Sequence, residues 1–126
     1  AVAGGTETVL LVEDEPLVLE LAQRTLQQLG YDVLACSSSD AALRVFGEHQ
    51  SRIQLVVTDV LLPRLSGTEL AARLRALSPG VSVLFCSGAG EAPLEGERSG
   101  CDSIEKPYRP RELAIQVRKL LDQRRS

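Results

Sequence analysis

The sequence predicts an α/β domain in which helices cover both faces of a doubly wound parallel sheet. Five short apolar runs alternate along the chain with segments of helical period. The runs are nearly continuous in valine and leucine, which is typical of parallel strands buried on both faces. The length of 126 residues fits one domain of this kind.

Each predicted strand is a short run bounded by turn residues. The strands are expected at Thr8 to Val12, Asp32 to Cys36, Ile53 to Thr58, Val81 to Cys86 and Ser103 to Glu105. Five strands favour the flavodoxin-like order 2-1-3-4-5. In such sheets ligands bind beyond the carboxyl ends of the strands.

Helical periodicity fills the segments between the strands. The helices are expected from Leu17 to Leu29, from a cap at Ser39 or Asp40 to about Phe46, from Gly67 to Leu77 and from Pro110 to Leu121. The segment from Ser87 to Asp102 differs, because it contains four glycines and one proline. It predicts a short or degenerate fourth helix.

Composition shifts suggest the limits of the domain. Residues 1–7 are small and polar, which is typical of a linker or of the cut end of a longer protein. We expect the domain to cover residues 8–122 and a short tail to cover residues 123–126.

Composition also narrows the classes of function. The 14 basic and 17 acidic residues give a net charge of −3, so charge does not indicate direct nucleic-acid binding. No apolar run reaches the roughly 20 residues of a membrane span, so we expect no membrane contact by this domain. Cys36, Cys86 and Cys101 are odd in number and lack metal-type spacing, which favours reduced thiols in a cytoplasmic domain.

Charged and small polar residues follow the predicted strands. Glu13 and Asp14 follow the first strand, Asp59 ends the third, Ser87-Gly88 follow the fourth and Lys106-Pro107 follow the fifth. Carboxyl ends of parallel strands meet at one edge of a sheet, so these groups are expected to lie close together. Adjacent carboxylates repel each other unless a cation is near. Oxygen ligands without thiolate or histidine suit a hard cation such as Mg²⁺.

Four motifs in this order resemble the signatures of the receiver domain of two-component response regulators. They are VLLVEDEP, VVTDVLLPRLSG, VLFCSG and EKP, and the similarity covers residues 8–122. The stretch GGTETVLLVEDEP is also similar to the linker and first strand of receivers attached to hybrid histidine kinases.

The resemblance implies a catalytic and metal-binding role for each matching residue. Asp59 matches the phosphoacceptor, which attacks the phosphorus of a phosphohistidine and becomes an acyl phosphate. Asp14 matches a direct Mg²⁺ ligand, and Glu13 matches the second acidic position, which reaches the metal through water. The backbone carbonyl of Leu61, together with Asp59, completes the implied protein ligands.

The remaining motifs imply phosphate-binding groups. Lys106 and Mg²⁺ would neutralise the oxygens of the phosphoryl group. The hydroxyl of Ser87 and the backbone N–H of Gly88 would hold that group, and a cis peptide bond is implied before Pro107. The implied partner is a histidine kinase or a histidine phosphotransfer helical bundle. It would dock on the first helix, where Val18 or Leu19 is expected to be exposed.

Three features depart from the family pattern. Ser103 stands where the family's aromatic switch residue would lie, so the usual route of signal relay is in doubt. The segment between Ser87 and Lys106 is shorter than the family leads us to expect, which disfavours dimerisation there and favours a monomer. Leu61 and Ala89 cannot orient an attacking water, so slow self-dephosphorylation is expected.

Other functions fit the sequence less well. The departures favour one alternative, a phosphorylation-independent, pseudo-receiver-like interaction module. A Mg²⁺ phosphatase would place its nucleophile in a D-x-D pattern, but Asp14 is followed by Glu15-Pro16. A flavodoxin is disfavoured because three acids in the first loop would repel the cofactor phosphate. We therefore expect no enzyme in the ordinary sense, although the parent protein would be a hybrid histidine kinase or a multidomain regulator.

Overall fold

The structure, a computed structural model, describes residues 3–88 and 101–124. Five parallel strands form one sheet in the order β2-β1-β3-β4-β5, as predicted. The strands are β1 (Thr8–Val12), β2 (Asp32–Cys36), β3 (Ile53–Asp59), β4 (Ser82–Ser87) and β5 (Cys101–Glu105). The helices are α1 (Pro16–Gln28), α2 (Ser39–His49), α3 (Gly67–Leu77) and α4 (Pro110–Arg124).

Alternate side chains of β1 enter two separate cores. On one face, Val9 and Leu11 of β1 belong to the cluster that contains Leu26 of α1 and Leu113 of α4. On the other face, Leu10 and Val12 belong to the cluster that contains residues of α2 and α3, including Phe46, Leu70 and Leu74. The continuous apolar runs of the sequence are therefore explained by helices on both faces.

The cap of α2 corrects the sequence prediction. The helix is capped by Ser38, whose hydroxyl accepts a hydrogen bond from the N–H of Ala41 at 3.1 Å, and not by Ser39 or Asp40. Ser39 is instead buried. All three positions carry side chains that can cap, so burial of one of them decided the start of the helix.

Several element ends differ by one to three residues from the prediction. β4 begins and ends one residue later, β5 begins at Cys101, α2 continues to His49 and α4 continues past Leu121. The predicted short or degenerate helix before β5 falls largely on residues 89–100, which lie outside the described residues. Cys36, Cys86 and Cys101 are free thiols. In the described ranges, no helix has the length and apolar character that crossing a bilayer requires.

Close backbone packing fixes the end of β3. The N–H of Gly67 donates to the carbonyl oxygen of Val60 at 2.8 Å, which brings the first turn of α3 against β3. A Cβ atom added at Gly67 would collide with the carbonyl group of Asp59. Only glycine therefore fits at this contact without movement of the strand end.

Replacing this glycine should be costly, whereas replacing another helical glycine should not. Gly67→Ala is expected to lower the free energy of unfolding by about 1–3 kcal/mol, because the methyl group overpacks the contact with Asp59. Gly47→Ala is the matched control, since a Cβ atom at Gly47 of α2 meets nothing within 4 Å. The control should raise stability by roughly 0.5–1 kcal/mol. Urea denaturation of both variants measures the difference, and equal effects would contradict the packing argument.

Candidate functional site

The acidic residues singled out in the sequence meet at the carboxyl edge of the sheet. Glu13 follows β1 directly, and Asp59 is the last residue of β3. Each of Glu13, Asp14 and Asp59 offers a carboxylate oxygen, and these oxygens lie within 4.8 Å of one another. Glu13 and Asp59 are only 3% and 4% exposed, whereas Asp14 is exposed.

A single ammonium group lies between the two buried carboxylates. Lys106 Nζ is 2.6 Å from Glu13 Oε1 and 2.7 Å from Asp59 Oδ1. Lys106 follows β5 directly, and its backbone N–H donates to the carbonyl oxygen of Ser87 at 2.7 Å. The Lys106-Pro107 peptide bond is cis, as predicted. Glu13 and Asp59 are 46 positions apart, and Asp59 and Lys106 are 47 positions apart. The strand order brings all three groups to the same edge of the sheet.

The second carboxylate oxygen of Glu13 has a backbone partner that the sequence analysis missed. Glu13 Oε2 accepts a hydrogen bond from the N–H of Glu15 at 3.0 Å. Glu15 is the N-cap of α1, and its own side chain makes no capping bond. The position of Glu13, two residues before the N-cap, could have predicted this bond. Acidic side chains near a helix start often accept hydrogen bonds from backbone N–H groups that have no partner within the helix.

The pKa values of the two buried acids are shifted in opposite directions. Burial, reinforced by the neighbouring Glu13 carboxylate and opposed by Lys106, raises the pKa of Asp59 from 3.8 to about 8. Burial also acts to raise the pKa of Glu13, but hydrogen bonds from Asp59 and Lys106 outweigh it and lower that pKa. In the absence of a further cation, Asp59 therefore keeps a proton near neutral pH while Glu13 is ionised.

The donor set fits a hard divalent cation. Three carboxylates supply oxygen ligands and one ammonium supplies positive charge, so the cluster keeps an excess of negative charge when its acids ionise. Both oxygens of Glu13 already accept hydrogen bonds from protein donors. Asp14 and Asp59 are therefore better placed than Glu13 to offer an oxygen directly.

The other predicted site residues line the same edge to different degrees. Ser87 ends β4 and is half-buried, and Gly88 follows it. β4 pairs with β3 through Cys86 and Asp59, so Ser87 lies one residue beyond the neighbour of Asp59. The side chain of Leu61 is exposed, and Ala89 lies outside the described residues.

The expected exposed residues of α1 need correction. Leu19 is only partly exposed because it packs against the core that contains Leu26, and Val18 is also half-buried. The exposed apolar side chains of α1 are Leu17 and Leu21, at 78% and 51% exposure. They are four residues apart and therefore share one face of the helix.

Comparison with known proteins gives a consistent result. The Response regulator receiver domain family matches residues 9–118. The uncharacterized transcriptional regulatory protein YbdJ of Bacillus subtilis (strain 168) is 33% identical over 116 residues, which are 90% of this chain and 50% of that protein. The sensor kinase CckA of Brucella abortus (strain 2308) is 34% identical over 122 residues, which are 94% of this chain and 13% of that protein.

A solved structure agrees with these similarities. The crystal structure of the receiver domain from hybrid histidine kinase CckA is 30% identical and superposes with a TM-score of 0.79. The match covers 90% of this chain and 98% of that one. The chain therefore corresponds to nearly the whole of a receiver domain, but to half or less of the two curated relatives.

Removing the buried acid at position 59 should stabilise the metal-free protein, and more so at higher pH. The pKa of Asp59 is raised in the folded state, so its proton is lost on unfolding and stability falls as pH rises from about 4 through about 8. Asp59→Asn is expected to abolish this loss, giving a larger gain at about pH 8 than at about pH 5. Urea denaturation in a chelator measures both gains.

The exposed carboxylate of Asp40 provides a control for this measurement. Asp40→Asn removes an acid whose partner Arg64 is also exposed, so the pH profile of stability should stay close to that of the unmodified protein. A gain for Asp59→Asn of equal size at both pH values would contradict the assignment of the raised pKa to Asp59.

Proposed function

The chain belongs to the response regulator receiver domains of two-component systems, and from this premise we propose that it accepts a phosphoryl group on Asp59 from a phosphohistidine, with Mg²⁺ as cofactor. The observation that carries the proposal is the buried Asp59 carboxylate, 2.7 Å from the Lys106 ammonium and beside Glu13 and Asp14. Receiver domains generally bind Mg²⁺ at an acidic cluster and interact with histidine kinases or phosphotransfer proteins.

The proposed reaction moves one phosphoryl group. A carboxylate oxygen of Asp59 attacks the phosphorus in line, the new O–P bond forms as the P–N bond to histidine breaks, and the imidazole leaves. The product is an aspartyl phosphate. Asp59 must be ionised to attack, so the proton that it keeps in the metal-free site has to leave first.

Positive charge supplied by the protein comes from Lys106. Its ammonium already lies within hydrogen-bond distance of Asp59 and can move to a phosphoryl oxygen as the carboxylate charge is consumed. The hydroxyl of Ser87 and the backbone N–H of Gly88 are proposed to hold the remaining oxygens. Their place after β4, next to β3, supports this role.

The proposed protein ligands of Mg²⁺ are Asp14, Asp59 and the backbone carbonyl of Leu61. Glu13 is proposed to act through water, which its two existing hydrogen bonds favour. When bound, the ion would neutralise charge on the phosphoryl group. Exposure of Asp14 leaves it free to turn towards an ion from the solvent side.

The proposed partner is a histidine-bearing helical bundle that docks on α1. Leu17 and Leu21 offer an apolar face on the helix that begins beside Glu13. We further propose a monomeric, cytoplasmic receiver from a hybrid histidine kinase or a multidomain regulator, since the matched proteins include CckA and several transcriptional regulators.

One observation favours a second function. Ser103 is exposed on β5, at the position where the family resemblance predicts an aromatic switch residue. A receiver without an aromatic side chain at this position cannot relay the signal by moving that side chain. The alternative is therefore a protein-interaction module whose binding does not depend on phosphorylation.

Phosphorylation can be tested with a small donor. Incubation with acetyl phosphate and Mg²⁺ should add one phosphoryl group to the intact mass, and Asp59→Asn should abolish the gain. Asp32→Asn is the matched control, because it removes an acid from the start of β2, at the opposite end of the sheet. It should be phosphorylated like the unmodified protein. No gain in any variant would favour the interaction module, and a gain in Asp59→Asn would refute the assigned nucleophile.

Docking on α1 can be separated from the chemistry. Leu21→Asp should slow phosphoryl transfer from a phosphorylated histidine phosphotransfer protein by about tenfold or more, because the charge disrupts an apolar contact. The rate with acetyl phosphate should not change. Leu77→Asp is the control, since Leu77 ends α3 and is 54% exposed against 51% for Leu21. Equal slowing by the two variants would contradict docking through α1.

A further inference from the structure

A short segment before β1 is held against the turn between α1 and β2. We call residues 4–7 the strap. The N–H of Gly5 donates to the carbonyl oxygen of Leu29 at 3.1 Å, and the carbonyl oxygen of Glu7 accepts from the N–H of Asp32 at 3.0 Å. Two backbone bonds therefore extend the contacts of the sheet beyond the start of β1 at Thr8.

The strap fits this turn without spare room. A Cβ atom at Gly4 would collide with the backbone of Leu29, and one at Gly5 would collide with the side chains of Glu7 and Arg118. Gly30 has a φ of 99°, and a Cβ atom there would lie 2.6 Å from the carbonyl oxygen of Gly5. Glycine at these positions is what allows the two backbones to approach.

One arginine of α4 joins the strap to the rest of the domain. Arg118 donates to the carbonyl oxygen of Gly4 at 3.1 Å and to both carboxylate oxygens of Glu7 at 3.2 and 2.6 Å. It also donates to the hydroxyl of Tyr31 at 3.4 Å and to Asp122 at 3.0 Å. The side chains of Arg118 and Glu7 are only 14% and 6% exposed, so solvent screens this pair little.

We propose that Arg118 latches the strap to α4, so that the strap and α4 open and close as one cooperative unit. Helix α4 begins four residues after Lys106, at the edge that carries the acidic cluster, and Arg118 lies further along it. The strap lies at the other edge, before β1. The latch therefore couples the strap to the helix that follows the site lysine.

Amide hydrogen exchange of the full chain tests the latch. In the unmodified protein the N–H of Gly5 should be protected, because it is bonded to Leu29. Glu7→Gln removes the buried one of the two carboxylates that pair with Arg118 and leaves the exposed Asp122 in place, whereas Gly4→Ala pushes the strap off the turn without changing any charge. Both variants should speed exchange at Gly5 and in the α4 backbone around Arg118 by at least about tenfold, while β1 and β3 stay protected.

Each result either supports or overturns the proposal. Glu20→Gln is the matched control, because Glu20 pairs with Arg24 on the surface, and it should leave exchange at both places unchanged. An unprotected Gly5 in the unmodified protein would overturn the latch, as would a variant that frees Gly5 without affecting α4. Equal acceleration by Glu20→Gln would also overturn it. If Glu7→Gln does not fold, Gly4→Ala and the unmodified protein still decide the question.

Discussion

Two carboxylates, Glu13 and Asp59, are almost fully buried side by side, and the ammonium of Lys106 lies between them at 2.6 and 2.7 Å. Two like charges buried side by side destabilise the folded state. Removing the counter-charge from a buried ion pair typically lowers the free energy of unfolding by about 3–5 kcal/mol. The rest of the site depends on this arrangement, because each acid comes from a different strand and the lysine from a third. The order β1-β3-β4-β5 is what places them together.

The same charge balance explains why the site suits its proposed chemistry. Three acids face one ammonium, so the metal-free cluster retains a proton on Asp59. In the proposed reaction Asp14, Asp59 and the backbone carbonyl of Leu61 would hold a divalent cation, whose charge would favour the ionised form of Asp59. In the proposed reaction Lys106 would act before and after the transfer, since an ammonium that stabilises the free carboxylate can equally stabilise an oxygen of the phosphoryl group attached to it.

Most of the architecture could be predicted because each strand and helix has a recognisable pattern of apolar residues within its own segment. Continuous apolar runs predict the strands, and the charged residues after them predict the edge of the sheet at which these groups meet. What could not be predicted depends on the choice between neighbouring, chemically similar residues. Ser38 caps α2 because Ser39 is buried, and Leu17 and Leu21 are exposed because Leu19 packs against the core. Sequence periodicity does not fix a helix's rotation to within one residue.

Contacts between distant segments were also beyond the sequence analysis. The residues of the strap have the composition of a linker, yet Glu7 is buried against Arg118, which is 111 positions away. No local sequence pattern predicts this pair, because Glu7 and Arg118 come together only when the sheet and α4 have folded. The limits of the domain at residues 8 and 122 remain a prediction, and the strap contacts show that structure continues on the amino-terminal side of the predicted limit.

The most direct test of the account is a double-mutant cycle between Lys106 and Asp59, measured as the free energy of unfolding without metal at about pH 9, where Asp59, with a pKa of about 8, is ionised. Lys106→Met should be strongly destabilising, because it leaves two buried acids without their counter-charge. In the Asp59→Asn background the same change should cost less, giving a coupling energy of about 1–3 kcal/mol. A coupling energy near zero would contradict the claim that this shared ammonium holds the site together.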